Sequence, residues 1–140
     1  MQQYLEFFSN HPLLFGMLAL VIILIITSEI TRSVSGAKNI NISNAINSFN
    51  NDKAIFLDIR SNNEFANGHI TGAINIPEAD LEKRVNDLTK YKEKEIIVYC
   101  QTGVRTGKSC KILKRNEFNN ISTLSGGLTA WTNENYPIEK

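Results

Sequence analysis

Cysteine is scarce in this sequence, which has Cys100 and Cys110 as its only two among 140 residues. Two cysteines in one short stretch are too few for a disulfide framework, so we expect reduced thiols in a reducing compartment. Charge of one sign is scarce as well, because 15 basic residues face 14 acidic residues. Such a balance gives no electrostatic case for binding nucleic acid. The length allows one domain of ordinary size.

Apolar residues are concentrated in one charge-free run, residues 13–26. Phe7 and Phe8 before it, with the hydroxyl residues after it, extend this run to about 20 residues, the length of a membrane-spanning helix. We therefore predict one transmembrane helix in an N-terminal segment, residues 1–28, with residues 13–28 in contact with the membrane.

Two alternatives to a membrane anchor are less favoured by the sequence. A cleaved signal peptide would carry basic residues ahead of the run, and residues 1–12 contain none, although Ser35-Gly36-Ala37 would suit a cleavage site. A buried core helix would show a polar face, which a charge-free run does not have. Arg32 and Lys38 follow the run, so the positive-inside rule predicts a single-pass protein with its C-terminal domain in the cytoplasm.

The rest of the chain has the pattern of a linker followed by a folded domain. Residues 29–39 are polar and small, which is typical of a linker, and residues 40–140 form the predicted domain. The predicted strands are residues 40–42, 54–59, 73–76, 95–99 and 122–124. The predicted helices are residues 43–49, a short helix from Ser61, residues 78–88, residues 104–115 and a last turn around Trp131. This alternation predicts an open parallel α/β sheet of about five strands flanked by helices.

Ligands of such sheets bind beyond the carboxyl ends of the strands, which here are Asp58-Ile59-Arg60 and Cys100. In the segment that starts at Cys100, Gly103 allows a tight turn whose backbone N–H groups form an anion-binding nest. The following helix N-terminus and Arg105 add positive charge near the sulfur, which favours the nucleophilic thiolate. A cysteine at a strand end is often a packing residue, but the glycine, the arginine and the flanking elements favour a nucleophile.

The segment Cys100-Gln101-Thr102-Gly103-Val104-Arg105 resembles the active-site loop of single-domain rhodaneses, which follows the pattern Cys-x-x-Gly-x-Arg. Three further segments resemble signatures of the same family, in the expected order. They are residues 57–60 with Glu64-Phe65, residues 68–77, and residues 124–127 with Trp131. The resemblance covers residues 40–138, and it implies a rhodanese-like fold.

The resemblance also implies a sulfurtransferase. Cys100 would take a sulfane sulfur from a small anionic donor such as thiosulfate, hold it as a persulfide, and pass it to cyanide, a thiol or a protein acceptor. Neither a metal nor an organic cofactor is implied. The implied substrate-binding residues hold the sulfur with their backbone or, for the arginine, bind the anionic donor; they are Gln101, Thr102, Gly103, Val104 and Arg105.

Four residues are expected to support the loops near the site: Asp58, Arg60, Glu64 and His69. His69 is a less favoured candidate for a general base, because a thiolate that its loop already stabilises needs none. Cys110 lies on the helix after the loop, where packing in the core is favoured over a role as a resolving thiol. The basic residues of that helix are interpreted as a solvated face, or less favourably as a field that attracts anions; they are Lys108, Lys111, Lys114 and Arg115.

Two other functions compete with sulfur transfer. Phosphatases and arsenate reductases of the same fold carry a longer Cys-x5-Arg loop, whereas four residues separate Cys100 from Arg105. The shorter loop favours sulfur, which is smaller than phosphate. The second alternative is a membrane-tethered interaction or regulatory module, for which loss of the cysteine would be the usual sign.

Overall fold

The computed structural model describes residue 1, residues 11–34 and residues 36–140, and for residues 28–34 the backbone alone. The chain divides into two units, Met1–Val34 and Ser35–Lys140.

The first unit contains helix α1, Pro12–Val34. Pro12 suits the first turn, where its missing N–H leaves no bond unmade. Among the described residues, no helix is sufficiently long and apolar to cross a membrane, so the predicted transmembrane helix is not supported. The charge-free run of residues 13–26 accounts for about 21 Å of helix, less than the roughly 30 Å of a bilayer core. Phe7 and Phe8 lie outside the described residues, and the cellular location stays a prediction.

The second unit is an α/β domain built on a parallel sheet of five strands in the order β1-β6-β5-β2-β4. Two further strands, β3 and β7, form a separate antiparallel pair. The strands are β1 Lys38–Ile40, β2 Ala54–Asp58, β3 His69–Ile70, β4 Ile74–Asn75, β5 Glu95–Tyr99, β6 Ile121–Leu124 and β7 Ile138–Glu139. The helices are α2 Ile42–Asn50, α3 Asn62–Ala66, α4 Glu78–Arg84, α5 Thr106–Arg115 and α6 Gly127–Asn133, with a 3-10 helix at Val85–Tyr91.

The neighbouring strands β2 and β5 are buried on both faces of the sheet, which explains their continuous apolar sequence. Because side chains alternate along a strand, Leu57 and Val98 contribute to one core cluster. Phe56 and Ile97 contribute to the cluster on the other face. The predicted five-stranded parallel sheet flanked by helices is therefore confirmed.

The boundaries of several elements differ from the predicted ones for local reasons. The first strand ends at Ile40, because Asn41 rather than Ser43 caps α2: its side chain accepts a hydrogen bond from the Asn44 N–H at 2.8 Å. The predicted helix of residues 78–88 is helical to Arg84 and then tightens into the 3-10 helix. The helix after Cys100 begins at Thr106 instead of residue 104, since the loop continues through Arg105.

Candidate active site

The sheet brings two strand ends together at one edge. Strands β2 and β5 are parallel neighbours, and Asp58 is in register with Tyr99. One residue further along, the Ile59 N–H donates to the Tyr99 carbonyl at 3.2 Å. The turn after β2 therefore lies beside Cys100, which follows β5, as the rule for ligand sites in parallel sheets predicts.

The Cys100 sulfur lies beneath its own loop. Cys100 is 1% exposed, and the Gly103 N–H donates to its Sγ at 3.1 Å. That turn needs Gly103 at a φ of +87°, in the region that side chains with a Cβ disfavour. Thr106 at the start of α5 secures the turn, because its hydroxyl donates to the Gly103 carbonyl at 3.2 Å. The loop thus directs a backbone dipole at the sulfur, which stabilises negative charge there.

Four other backbone donors of the loop have no acceptor among residues 36–140. They are the N–H groups of Gln101, Thr102, Val104 and Arg105. These four residues are exposed. Because unpaired N–H groups near a surface are available to ligands, the loop can accept an anion.

The turn between β6 and α6 supports the loop from the other side. The backbone N–H groups of Leu128 and Thr129 donate to the carbonyls of Cys100 at 3.0 Å and Gln101 at 2.9 Å. Gly127 has a φ of +59°, and a Cβ there would press against the Cys100 carbonyl and lie 2.8 Å from that of Gln101. From the sequence, Gly127 was identified only as part of a segment that resembles a family signature, and its contact with the loop was not predicted.

Asp58 and Arg60 form a buried ion pair at the end of β2. Arg60 Nη2 lies 2.7 Å from Asp58 Oδ2, and its Nε lies 3.1 Å from both carboxylate oxygens. The same guanidinium donates to the Gly68 carbonyl at 2.8 Å and to Gln101 Oε1 at 3.1 Å. Burial opposes the charge, but the hydrogen bonds and charge of Asp58 outweigh it, so the pKa of Arg60 is raised. Arg60 thereby ties three segments together at the loop.

Glu64 and Arg105 form a second pair across the mouth of the loop. Arg105 Nη2 donates to Glu64 Oε1 at 3.0 Å, while Glu64 Oε2 accepts the Ser61 N–H at 3.0 Å in the capping box of α3. The Ser61 backbone bond, followed by Arg105, lowers the pKa of Glu64. The hydrogen bond to Glu64 in turn raises the pKa of Arg105, and the charge of Cys100 adds to that rise. The predicted cation is therefore held by Glu64 at the end of the loop that encloses the sulfur.

Both ring nitrogens of His69 are engaged away from the sulfur. Nδ1 lies 2.9 Å from the Phe65 carbonyl, and Nε2 lies 3.3 Å from Glu139 Oε1. The ring stacks on Phe65 with centroids 3.6 Å apart. These contacts fit the predicted supporting role of His69, and they leave neither nitrogen free to take a proton from Cys100.

Cys110 is fully buried in the core cluster that also contains Cys100, and both thiols are free. Burial raises the pKa of Cys110 to about 12, which keeps it protonated at neutral pH.

Of the basic residues on α5, Lys108 pairs with Glu78 at 3.7 Å. Within the part of the chain that the structure describes, no three His, Cys, Asp or Glu side chains are grouped as metal ligands.

The fold and the loop together correspond to a known class of protein. Residues 34–134 match the family model of the rhodanese-like domain, and the chain belongs to that family. It is 29% identical to the uncharacterized protein YibN of Escherichia coli (strain K12), over 99% of this chain and 97% of that protein.

Two solved structures show the same fold. A rhodanese-related protein from Thermoplasma volcanium superposes with a TM-score of 0.60 at 25% identity, over 73% of this chain and 97% of that one. A thiosulfate sulfurtransferase from Pseudomonas aeruginosa superposes with a TM-score of 0.68 at 23% identity, over 81% of this chain and 22% of that one.

Proposed function

We propose that this protein is a sulfurtransferase that moves a sulfane sulfur from a small anionic donor such as thiosulfate to a thiol or cyanide through a persulfide on Cys100. The observation that carries the proposal is the Gly103 N–H, which donates to the Cys100 sulfur at 3.1 Å in a loop where four other backbone N–H groups have no acceptor among residues 36–140. A persulfide adds one sulfur atom beyond Sγ, where the loop donors and Arg105 can stabilise its negative charge.

The reaction needs no outside oxidant or reductant. The Cys100 thiolate attacks the outer sulfur of thiosulfate, a new S–S bond forms, and the old S–S bond breaks. Sulfite leaves with the electron pair of the broken bond. In the second half, an acceptor thiolate or cyanide attacks the outer sulfur of the persulfide, and Cys100 leaves as the thiolate.

Two features of the site support sulfur over phosphate. Four residues separate Cys100 from Arg105, one fewer than in the phosphatase loops of this fold. The Cys100 side chain is also almost fully enclosed. A tight enclosure fits the one added atom of a persulfide better than a phosphoryl group with its oxygens.

The Pseudomonas aeruginosa protein is named for this activity, but a likeness at 23% identity concerns the fold alone. The proposal therefore rests on the loop. Cys110 is the less favoured sulfur carrier, because burial raises its pKa to about 12 and the thiolate is the reactive form.

The test uses the purified full-length protein, its Cys100→Ser variant and Cys110→Ala as the matched control. We expect wild type and Cys110→Ala to form thiocyanate from thiosulfate and cyanide, and Cys100→Ser to form none above background. Mass spectrometry after incubation with thiosulfate alone should find a gain of one sulfur on the Cys100 peptide. Equal thiocyanate formation by wild type and Cys100→Ser would contradict the proposal.

A further inference from the structure

The pair between Glu64 and Arg105 links two parts of the chain that are 41 residues apart. Glu64 is held at its other oxygen by the Ser61 N–H, and the Ser61 hydroxyl accepts the Glu64 N–H at 3.3 Å. This reciprocal capping box holds the Glu64 carboxylate in place without any contribution from Arg105. Arg105 is exposed at the end of the loop, and among the described residues its side chain donates a hydrogen bond to Glu64 alone.

The fold gains little from this pair. The side chains of Arg105 and Glu64 are 46% and 39% exposed, and ion pairs at such positions contribute little to stability. The capping box of helix α3 is formed by Ser61 and Glu64 and uses no atom of Arg105. A contact with so small a structural role, at the edge of a reactive sulfur, points to the placement of the cation.

Arg105 can serve Glu64 and a donor anion at once. A guanidinium has five N–H donors in one plane. Among the described residues, Glu64 is the one acceptor of a hydrogen bond from the Arg105 side chain, which donates through Nη2. Arg105 is the last residue of the loop that encloses the Cys100 sulfur, and the charge of that sulfur contributes to the raised pKa of Arg105. The remaining donors are available to an anion that approaches Cys100.

We propose that Glu64 is a positioning residue that holds the Arg105 guanidinium beside the Cys100 sulfur, where it binds the anionic sulfur donor. This inference rests on the proposed sulfur transfer and assigns to Glu64 a role in donor affinity. Because Glu64 acts through Arg105, its removal matters only while Arg105 is present.

For Glu64→Ala, charge alone and loss of positioning predict opposite changes in the KM for thiosulfate. Removing a carboxylate near the site makes the local potential more positive, and on charge alone this should lower the KM for dianionic thiosulfate. If Glu64 positions Arg105, Glu64→Ala raises that KM instead, because the cation is no longer held beside the sulfur.

Kinetics of the full-length protein with thiosulfate and cyanide give the first readout. We expect Glu64→Ala to raise the KM for thiosulfate about fivefold with kcat nearly unchanged, as for a misplaced binding group. Glu64→Gln loses the same charge but keeps an oxygen for Arg105, so its KM should stay close to that of wild type. Glu78→Ala, which removes a carboxylate from the exposed pair with Lys108, is the charge control and should not raise the KM.

A double substitution tests the route of the effect. In an Arg105→Gln background, Glu64→Ala should change the KM no further. A KM that falls in Glu64→Ala, or rises equally with and without Arg105, would overturn the inference.

A binding measurement separates this inference from the proposed function. In Cys100→Ser protein, thiosulfate cannot react, and its affinity follows from the shifts of the backbone amide signals of residues 101–105 during a titration. We expect weaker binding by about fivefold when Glu64→Ala is added, with Arg105→Gln having a similar effect. Unchanged binding would refute the positioning role even if wild type transfers no sulfur. Failure of the proposed function would show separately, as the absence of thiocyanate from wild type.

Discussion

The two strand ends at the site differ in how their polar groups are used. After β2, Asp58 and Arg60 are almost fully buried, and the Arg60 guanidinium donates to three different residues. After β5, four residues of the Cys100 loop are exposed, and their backbone N–H groups have no acceptor among residues 36–140; they are Gln101, Thr102, Val104 and Arg105. A segment whose polar groups all have partners has a structural role, whereas unused donors next to a thiol form a site.

The two strand ends are also joined, since the Gln101 side chain accepts from Arg60 and donates to the Thr129 hydroxyl at 3.2 Å. The buried end therefore supports the geometry of the exposed one. Damage to the first should unfold the domain, and damage to the second should leave a folded but impaired protein.

The largest effect is expected from Asp58→Ala, which leaves the Arg60 guanidinium buried without its partner. Such losses cost about 3–5 kcal/mol, a large part of the stability of a small domain. Urea unfolding of the full-length protein measures this change. Asp87→Ala is the control, because its pair with Arg84 is about half exposed and should contribute at most ~1 kcal/mol. Equal losses in both variants would remove the distinction between the two strand ends.

Gly127→Ala should have the next largest effect and should lower both the stability of the domain and its activity. The new Cβ would meet the Cys100 and Gln101 carbonyls, at a φ of +59° that costs a residue with a Cβ about 1–2 kcal/mol by itself. We expect lower stability and a displaced loop, seen as slower thiocyanate formation. Gly107→Ala is the control on α5: a Cβ there meets nothing within 4 Å, and alanine should stabilise the helix by up to about 1 kcal/mol.

Arg105→Gln should separate function from stability. The side chain is about half exposed, so its loss should change the free energy of unfolding by less than about 1 kcal/mol. The KM for thiosulfate should nevertheless rise, because the cation near Cys100 is gone. Lys108→Gln removes one positive charge from the first turn of α5, the helix that follows Arg105, and serves as the control. If both variants raise the KM equally, general attraction of anions by α5 replaces specific binding by Arg105.

Local sequence patterns predicted much of this fold. The apolar runs of β2 and β5 identify the buried centre of the sheet, and the short helix predicted from Ser61 corresponds to α3, for which Ser61 is the N-cap. The order of these elements was enough to bring Asp58 and Cys100 to one edge, because parallel neighbours share their carboxyl ends.

Contacts between distant segments could not be predicted in the same way. The pair of Glu64 with Arg105 and the fit of Gly127 under the loop depend on how separate elements pack, which no local period records. The β3–β7 pair was missed because each strand has two residues, too few for an alternating pattern. At α2, Asn41 and Ser43 are both good capping residues, and the structure uses the first.

The smallest expected effect is a pH dependence of stability at the exposed end. Hydrogen bonding from Ser61, followed by Arg105, lowers the pKa of Glu64 below its ordinary value of 4.5 in the folded state. The ionised carboxylate therefore stabilises the fold above pH 4.5, and this contribution is lost as the pH falls through the folded pKa.

Urea unfolding of wild type and Glu64→Gln at pH 6 and pH 3 measures this contribution. The difference between them should be well under about 1 kcal/mol at pH 6, because solvent screens an exposed pair, and should shrink at pH 3. Repeating the comparison with Arg105→Gln should reduce the pH-dependent part without abolishing it, since the Ser61 bond remains. A pH dependence that survives unchanged would mean that Arg105 does not interact with Glu64 in solution.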